Sequence, residues 1–460
     1  MTHASPAPSP VAPGPNPNPN PSPSPNSGPH PLLSQLLSQV ATALGRPVPA
    51  CWVRALHAVP RDLFLPGRVW LRDGAGGYVA CDRGAEPVRW AEAAYGDVPV
   101  VTQIVEDDDG FQEPTSSASA PSTVLRMLED AALADGHRVL EIGTGTGFHA
   151  ALLAHRLGSG NVVSIEVDPT LAEAARTMLE AAGYAPAVVT GDGAHGHAAA
   201  APYDRLISTC SVRSVPAVWL AQTAPGARLV VPWSTSWITY GTLVLTRHPD
   251  ATATGRFAGY GSYMVMRGRR ATADLDRDLL RMGQRPMHSD TALSPWAVAG
   301  GSLDAQFAIG LRVPDVWHSW DTGTGSGTDT GTGTGSDTNT DTDAGALADM
   351  RPVHTRLWLA DDAATSWAAV DYDGRQTATY HVRQHGPRRL WDEIEAAHRQ
   401  WIHAGEPEIA RHGLTVTTEG QRLHIDDALP HSNASTTSTI TTNPDRTNST
   451  SAPLTASEGR

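Results

Sequence analysis

The sequence predicts an α/β protein with a Rossmann-like, seven-stranded sheet and a smaller C-terminal α+β domain, and two features of the chain indicate this. Between residues 122 and 266, short aliphatic runs alternate with Ala- and Leu-rich segments of helical length, as in parallel sheets whose strands are joined by helices. The first run passes directly into a glycine-rich turn, 143–147, that opens a helix, and such a turn lets the backbone approach a ligand closely. The last two runs have no helix between them, so we expect an antiparallel hairpin at one edge of the sheet.

The elements of this predicted sheet follow one another in chain order. The predicted strands are Arg138–Ile142, Val162–Val167, Ala187–Thr190, Asp204–Ser208, Arg228–Pro232, Gly241–Thr246 and Ser262–Met266. The predicted helices are Ser122–Ala134, Gly147–Leu157, Pro169–Ala182 and Val215–Ala224. Because the carboxyl ends of parallel strands meet at one edge of a sheet, the residues that follow the strands are the first candidates for a binding site.

Charge and cysteine content exclude several classes of protein. The chain has 460 residues, with 34 basic and 48 acidic side chains and a formal net charge of -14 at pH 7. A nucleic-acid binder normally presents a basic face, so this balance argues against that class. No apolar run approaches the ~18 residues that a membrane span needs, and residues 1–30 show no secretory pattern. Three cysteines are too few for a disulfide framework. We therefore expect a cytoplasmic protein without nucleic-acid or membrane partners.

Composition also divides the chain into regions. Residues 1–30, rich in Pro, Asn and Ser, and residues 429–460, rich in Ser, Thr and Asn, are predicted to be disordered because they hold almost nothing apolar to bury. Between them we expect an N-terminal helical and hairpin cap at 31–121, the sheet domain at 122–267 and the C-terminal α+β domain at 268–428. A Gly/Thr/Asp-rich insert at 321–346 reads as an expanded surface loop of the last domain. An interdomain linker is the alternative for this insert.

The C-terminal region carries its own secondary-structure pattern but no catalytic constellation. The predicted strands are Leu357–Leu359, Trp367–Tyr372 and Thr377–Gln384, followed by a helix over Pro387–His403 and a hairpin of Leu414–Thr418 with Arg422–Ile425. The tryptophans of this region could line a peptide groove, although such residues more often form the core of a small domain.

Three consecutive predicted strands end in candidate ligand-binding residues. The first ends in Glu141 and the motif E-x-G-x-G-x-G, whose third glycine comes one residue too early for the dinucleotide fingerprint. This spacing disfavours a nicotinamide oxidoreductase. The second strand ends in Glu166, which could accept hydrogen bonds from ribose hydroxyls. Either Glu166 or Asp168 could instead cap the helix that begins at Pro169, and we expect Asp168 to be that cap. The third is followed by Asp192 and Gly193, where a carboxylate could accept from an adenine amino group.

The E-x-G-x-G-x-G motif resembles that of the class I S-adenosylmethionine methyltransferases, and a longer series of motifs is similar to the protein-L-isoaspartate O-methyltransferase family. The series spans about residues 48–266 and consists of VPRDLFLP (59–66), SAP (119–121), LEIGTGTG (140–147), GDG (191–193), APYD (201–204) and PGARLVVP (225–232). The resemblance implies methyl transfer from S-adenosylmethionine to the carboxylate of an isoaspartyl residue in a protein or peptide, followed by collapse of the ester to a succinimide.

The resemblance also implies roles for individual residues. It places the active-site serine at Ser119, whose hydroxyl would align the substrate carboxylate. It assigns cofactor binding to carboxylates that meet the ammonium and ribose groups and to the glycines beside them: Glu141, Gly143, Gly145, Gly147, Glu166, Asp192 and Gly193. The sequence departs from the family at Ser122, where the family carries His. Ser122 and the nearby Thr115, Ser116 and Ser117 form a hydroxyl-rich segment, which we expect on the side of the site that binds the substrate. No metal is expected.

The chain is longer than the family's usual single domain, and this extension bears on the substrate. Its segments WIHAGEP (401–407) and RHGLTVT (411–417) resemble variants of the family that accompany ribosomally made peptides, in lanthipeptide and ATP-grasp systems. The resemblance therefore leaves two substrates open, a damaged protein or a ribosomal precursor peptide. A non-catalytic module that binds S-adenosylmethionine and recruits a peptide is a further alternative.

Overall fold

A computed structural model describes residues 31–74, 77–106, 112–266, 279–281, 284–322, 355–372, 374 and 376–425. The two predicted disordered tails, residues 323–346 of the predicted insert and the acidic run Asp107–Asp109 lie outside the described residues. Among the residues described, no helix combines the length and the apolar character that a membrane crossing requires.

The N-terminal part forms helices packed beside a small antiparallel sheet. This sheet has the order β2-β1-β3-β4, and the strand β4 leads directly into the helix that precedes the central sheet. The elements are α1 (Leu33–Leu44), α2 (Ala50–Ala58), β1 (Arg68–Arg72), β2 (Tyr78–Asp82), α3 (Pro87–Ala94), β3 (Val100–Glu106), β4 (Gln112–Ala118) and α4 (Pro121–Asp130).

The central sheet confirms the predicted α/β fold, and it contains nine strands rather than seven. Its order is β18-β17-β11-β10-β9-β8-β5-β6-β7, with the strands from β9 to β7 parallel and those from β10 to β18 antiparallel. The elements are β5 (Val139–Ile142), α5 (Phe148–Leu157), β6 (Val162–Glu166), α6 (Pro169–Ala181), β7 (Ala187–Thr190), β8 (Tyr203–Ser208), α7 (Ala217–Ala221), β9 (Thr223–Pro232), β10 (Tyr240–Arg247) and β11 (Ala253–Ser262).

The last strand predicted for this sheet lies in a different place. The prediction was Ser262–Met266, whereas β11 ends at Ser262 and the apolar residues beyond it form no regular strand. The glycines in β11 weaken its pattern as a strand, yet packing requires one of them. A side chain at Gly255 would stand 1.8 Å from the carbonyl oxygen of Val244 on β10. Glycine is therefore required at this position of β11 by the close approach of β10.

Among its described residues, the C-terminal region forms a five-stranded antiparallel sheet, β12-β16-β15-β14-β13, and three α-helices. Of the four tryptophans predicted to form the core, those at 367, 391 and 401 are buried, whereas Trp358 is only partly buried against a small apolar cluster. The elements are β12 (Met287–Thr291), α8 (Pro295–Ala299), α9 (Leu303–Arg312), β13 (Val316–Thr322), β14 (Thr355–Asp361), β15 (Trp367–Tyr372), β16 (Tyr380–His385), α10 (Leu390–His403), β17 (His412–Thr417) and β18 (Gly420–Ile425).

The predicted boundary of a separate domain at 268–428 differs from the structure at its last hairpin. Strand β17 pairs antiparallel with β11, so the β17–β18 hairpin extends the central sheet instead of completing the C-terminal one. One cluster of buried apolar side chains also runs from Leu140 in the central sheet to Leu357 and Trp391 in the C-terminal region. The C-terminal region therefore shares a core with the central sheet, which fixes its position relative to the strand ends.

Candidate functional site

The glycine turn after β5 has a backbone that side chains would disrupt. Gly143 has φ +96°, and a Cβ atom there would stand 2.5 Å from Thr209 Oγ1. Gly145 and Gly147 also have positive φ angles, of 53° and 86°, and Gly147 is the N-cap residue of α5. The turn therefore presents bare backbone at the carboxyl edge of the sheet, where the sequence predicted a binding site.

Four of the five N–H groups of this turn are already used inside the protein. Those of Gly143 and Thr144 donate to Ile165 O, at 2.8 and 3.1 Å, and that of Gly147 donates to Thr144 O. That of Gly145 donates to Glu166. A dinucleotide site needs free N–H groups for a pyrophosphate, so a turn that has used four of its five N–H groups disfavours a nicotinamide cofactor.

Glu166 lies at the end of β6 and is buried, with 7% of its surface exposed. Its Oε2 accepts from Gly145 N at 2.8 Å and its Oε1 from Asp168 N at 3.1 Å. The N-cap of α6 is Asp168, whose Oδ1 accepts from Thr170 N at 2.9 Å. Glu166 is therefore not the helix cap that the alternative allowed. Each of its oxygens keeps a second lone pair that could accept from a ribose hydroxyl.

Asp192 and Gly193 form the turn that follows β7. Asp192 Oδ1 accepts from Ala194 N at 2.9 Å, and the side chain is 51% exposed. A Cβ atom at Gly193 would stand 2.4 Å from Ile142 Cγ2, so this turn lies directly against the end of β5. The structure thus brings the glycine turn, Glu166 and Asp192 to the ends of adjacent strands β5, β6 and β7.

Glu141 occupies a different place from the one predicted. Its side chain has no accessible surface. Its Oε1 lies 2.5 Å from His149 Nδ1, and its Oε2 accepts from Ser164 Oγ at 2.5 Å. The Ser164 hydroxyl in turn lies 2.5 Å from that of Thr144. The carboxylate is therefore held beneath the glycine turn, which it supports, and it has no surface open to a ligand.

The β3–β4 hairpin is attached to the same edge of the sheet. Gln103 Nε2 donates to Asp168 Oδ2 at 3.2 Å, and Gln103 Oε1 accepts from Thr115 Oγ1 at 2.7 Å. A Cβ atom at Gly145 would stand 3.9 Å from both Ser116 Oγ and Ser117 O. Strand β4 therefore passes beside the glycine turn. Sequence reasoning missed Gln103, because a single glutamine in a predicted hairpin belongs to no motif.

The predicted hydroxyl-rich segment divides into buried and accessible residues. Ser116 and Ser122 are each only 5% exposed, and Thr102 Oγ1 donates to Ser116 Oγ at 3.0 Å. Thr115, Ser117 and Ser119 keep partial exposure. The hydroxyl of Ser119 makes no hydrogen bond to any group among the described residues, whereas its carbonyl oxygen accepts from Arg61 at 3.0 Å. Ser119 therefore offers a free hydroxyl at the end of the strand that passes the glycine turn.

Cys210 follows β8 close to these strand ends. Its thiol lies 3.5 Å from Ser208 Oγ, and burial raises the pKa of the thiol to about 11. The thiol is therefore protonated near neutral pH and is a poor nucleophile.

The residues at the strand ends fit S-adenosylmethionine. The donor carries ribose hydroxyls and an adenine amino group, which need hydrogen-bond acceptors, and it carries no phosphate. Glu166 and Asp192 supply carboxylate acceptors, and the absence of a Cβ at Gly143 and Gly193 leaves these turns tightly packed on the strands behind them.

Comparisons with known proteins identify the family. The family model described as Protein-L-isoaspartate(D-aspartate) O-methyltransferase matches residues 82–249. A protein-L-isoaspartate O-methyltransferase of Ignicoccus hospitalis is 47% identical over 180 residues, which are 39% of this chain and 71% of that protein. One from Archaeoglobus fulgidus is 44% identical over 180 residues, 39% of this chain and 68% of that protein. One from Anaeromyxobacter sp. is 39% identical over 202 residues, 44% of this chain and 79% of that protein.

The family model covers the part of the chain that forms the strand-end site, and it ends at residue 249, before the C-terminal region begins. The glycine turn, Glu166 and Asp192 all lie within the matched residues. Together with the predicted motif series, the matches show that this chain belongs to the protein-L-isoaspartate O-methyltransferase family.

Proposed function

We propose that this S-adenosylmethionine-dependent methyltransferase esterifies the α-carboxylate of an isoaspartyl residue and that Ser119 aligns this carboxylate with the methyl donor. The free hydroxyl of Ser119 carries the proposal. It stands at the end of β4, the strand that passes beside the glycine turn, and no described protein group competes for its proton. An unpaired hydroxyl in that position can donate to one oxygen of a carboxylate and so orient the other.

The protein's contribution to the reaction is mainly alignment. When bound, S-adenosylmethionine supplies a methyl group activated by the sulfonium. A carboxylate is already a nucleophile, so the site needs no general base. Glu166 would hold the ribose hydroxyls, Asp192 would accept from the adenine amino group, and Ser119 would hold the substrate oxygen in line. Alignment of this kind supplies several kcal/mol of rate enhancement in well-oriented reactions.

Two further hydroxyls are accessible enough to contact a substrate. Thr115 and Ser117 lie on β4 before Ser119 and keep partial exposure. Ser116 and Ser122 are buried, so we assign them to the framework of the site. The proposed substrate contacts are therefore Thr115, Ser117 and Ser119.

Replacing Ser119 by Ala tests the proposal. We expect Ser119→Ala to bind S-adenosylhomocysteine with unchanged affinity, because the hydroxyl supports no other group. We expect methyl ester formation on an isoaspartyl peptide to fall by about tenfold to a hundredfold in kcat/KM, since one orienting hydrogen bond is lost. The measurement is base-labile label transferred from methyl-labelled S-adenosylmethionine. Ser38→Ala, on the exposed face of α1, is the control and should behave as the unmodified protein.

The same assay separates the enzyme from a non-catalytic recruiting module. A protein that binds S-adenosylhomocysteine but transfers no label to isoaspartyl or aspartyl peptides, under conditions where a known family member does, would contradict the enzymatic proposal. Unchanged transfer by Ser119→Ala would contradict only the assignment of Ser119.

We also infer that the C-terminal region makes the substrate a dedicated peptide, which would be a ribosomal precursor peptide. It contacts the loop that follows β8, on the carboxyl edge of the sheet. Arg213 Nη1 lies 2.6 Å from Asp362 Oδ2, and Gln421 bonds both the N–H and the carbonyl of Val215, at 3.2 and 3.0 Å. The C-terminal region would thus form a second surface beside the strand ends, which could contact the substrate residues on either side of the methylated one.

Substrate selectivity tests this inference. A repair enzyme should methylate short isoaspartyl peptides of different flanking sequence with kcat/KM values within about tenfold of one another. We expect this chain to prefer a precursor peptide encoded beside its gene by about a hundredfold or more. Equal rates on all peptides would assign it to repair. Asp362→Ala, which removes the partner of Arg213, should reduce the preference without affecting S-adenosylhomocysteine binding.

We place this activity in the cytoplasm. The three cysteines at 51, 81 and 210 are all free thiols, as is usual in reducing compartments.

A further inference from the structure

Arg61 is the most deeply buried cation among the described residues, with 1% of its surface exposed. Its guanidinium donates to backbone carbonyls from two separate segments. Nη1 donates to Ala93, Ala94 and Gly96 at 3.4, 3.2 and 3.0 Å, and Nη2 donates to Val98, Ala118 and Ser119 at 3.0, 3.1 and 3.0 Å. Arg61 thus joins the turn after α3 to the end of β4, immediately before the site.

The charge of Arg61 is retained although it is buried. Burial lowers the pKa of the guanidinium to about 10, and nearby Asp97 opposes this shift. The group is therefore protonated at neutral pH. A buried cation is strongly destabilising unless its hydrogen bonds are satisfied, and here carbonyl oxygens satisfy both terminal nitrogens.

Asp97 holds the other side of the same segment. Its Oδ1 accepts from Ser122 N at 2.8 Å, in the first turn of α4, where Ala120 provides no side-chain cap. The carbonyls of Ala118 and Ser119 and the N–H of Ser122 are thus fixed by two neighbouring side chains. The backbone on both sides of Ser119 is constrained, while its hydroxyl remains free.

We propose that Arg61 is a positioning residue for methyl transfer, which fixes the backbone of Ser119 so that its hydroxyl points at the substrate carboxylate. This rests on the role proposed above for Ser119. Arginine suits the task because its planar fork reaches several acceptors at once, whereas a lysine ammonium donates from one point.

Arg61→Lys tests the proposal by separating catalysis from binding. We expect the variant to keep the unmodified affinity for S-adenosylhomocysteine, and its kcat to fall by about tenfold to a hundredfold through misplacement of Ser119. Arg68→Lys, at an exposed arginine of β1, is the matched control and should leave kcat unchanged. A merely structural role would lower cofactor affinity together with kcat, so affinity separates the two roles. Thermal stability does not, because the loss of buried hydrogen bonds lowers it in either case.

A double-mutant cycle with Ser119→Ala decides whether Arg61 acts through Ser119. If it does, Arg61→Lys/Ser119→Ala should be no slower than Ser119→Ala alone. If the fall in kcat of the double variant equals the product of the two single falls, the inference about Arg61 is overturned, whereas the role proposed for Ser119 still stands. Should Arg61→Lys fail to fold, Asp97→Ala replaces it in the same cycle, because Asp97 holds the backbone at Ser122. Asp97→Ala/Ser119→Ala should then be no slower than Ser119→Ala alone. A Ser119→Ala variant of normal activity would instead contradict the proposed function.

Discussion

Replacement of Glu166 by Ala should weaken the binding of S-adenosylhomocysteine by about a hundredfold or more. The nearly buried carboxylate is proposed to accept from both ribose hydroxyls, and a hydrogen bond to a charged group contributes about 1.5–3 kcal/mol. Loss of two such bonds amounts to about 3 kcal/mol or more, and each 1.4 kcal/mol is a factor of ten in affinity. The N–H groups of Gly145 and Asp168 also lose their acceptor, which loosens the glycine turn. Calorimetric titration measures the change directly.

Glu166→Gln should give an intermediate result. One amide oxygen still accepts a hydrogen bond, whereas the NH2 group faces an N–H donor, so we expect a loss of about tenfold. Glu173→Ala is the matched control, because this glutamate lies on the adjoining helix α6, is 73% exposed and pairs only with Arg176 in the described structure. If Glu166→Ala and Glu173→Ala bind S-adenosylhomocysteine with equal affinity, Glu166 does not contribute to cofactor binding.

The position of the site follows from the sequence because parallel strands impose it. Alternating strands and helices predict a parallel sheet, and the strand ends then converge on one edge. This argument located Gly143, Glu166 and Asp192 from their spacing in the chain. The structure places all three at the ends of adjacent strands.

The direction in which a side chain points was harder to predict. Glu141 and Glu166 both stand near strand ends, yet only Glu141 lies wholly beneath the glycine turn. The difference is made by His149 and Ser164, which meet Glu141 from α5 and β6. A motif that is read along one strand contains no information about such partners on neighbouring elements.

Contacts between segments that are distant in the chain could not be predicted from the sequence either. Strand β17 is separated from β11 by about 150 residues, and nothing in either pattern specifies that they pair. Arg61 likewise belongs to a motif that marks family resemblance, but its function depends on carbonyl oxygens up to residue 119. Carbonyl acceptors exist at every residue, so no pattern of side chains reveals which of them a buried guanidinium will use.

The turn after β7 offers two glycine-to-alanine variants with opposite expected outcomes. Gly193→Ala would place a methyl group 2.4 Å from Ile142 Cγ2, whereas a Cβ atom at Gly191 would have nothing within 4 Å. Ile142 is buried on β5 and, being β-branched, cannot rotate its methyl group away freely. The turn itself must therefore move.

We expect Gly193→Ala to reduce the free energy of unfolding by about 1–3 kcal/mol, the usual range for overpacking. It should also abolish measurable S-adenosylhomocysteine binding at ligand concentrations that saturate the unmodified protein, because displacement of the turn carries Asp192 with it. Gly191→Ala should bind normally and lose no stability. Denaturant unfolding and calorimetry on both variants provide the test. Equal behaviour of the two variants would show that close packing of this turn against β5 does not position Asp192. Loss of stability without loss of binding in Gly193→Ala would show that Asp192 holds no part of the donor.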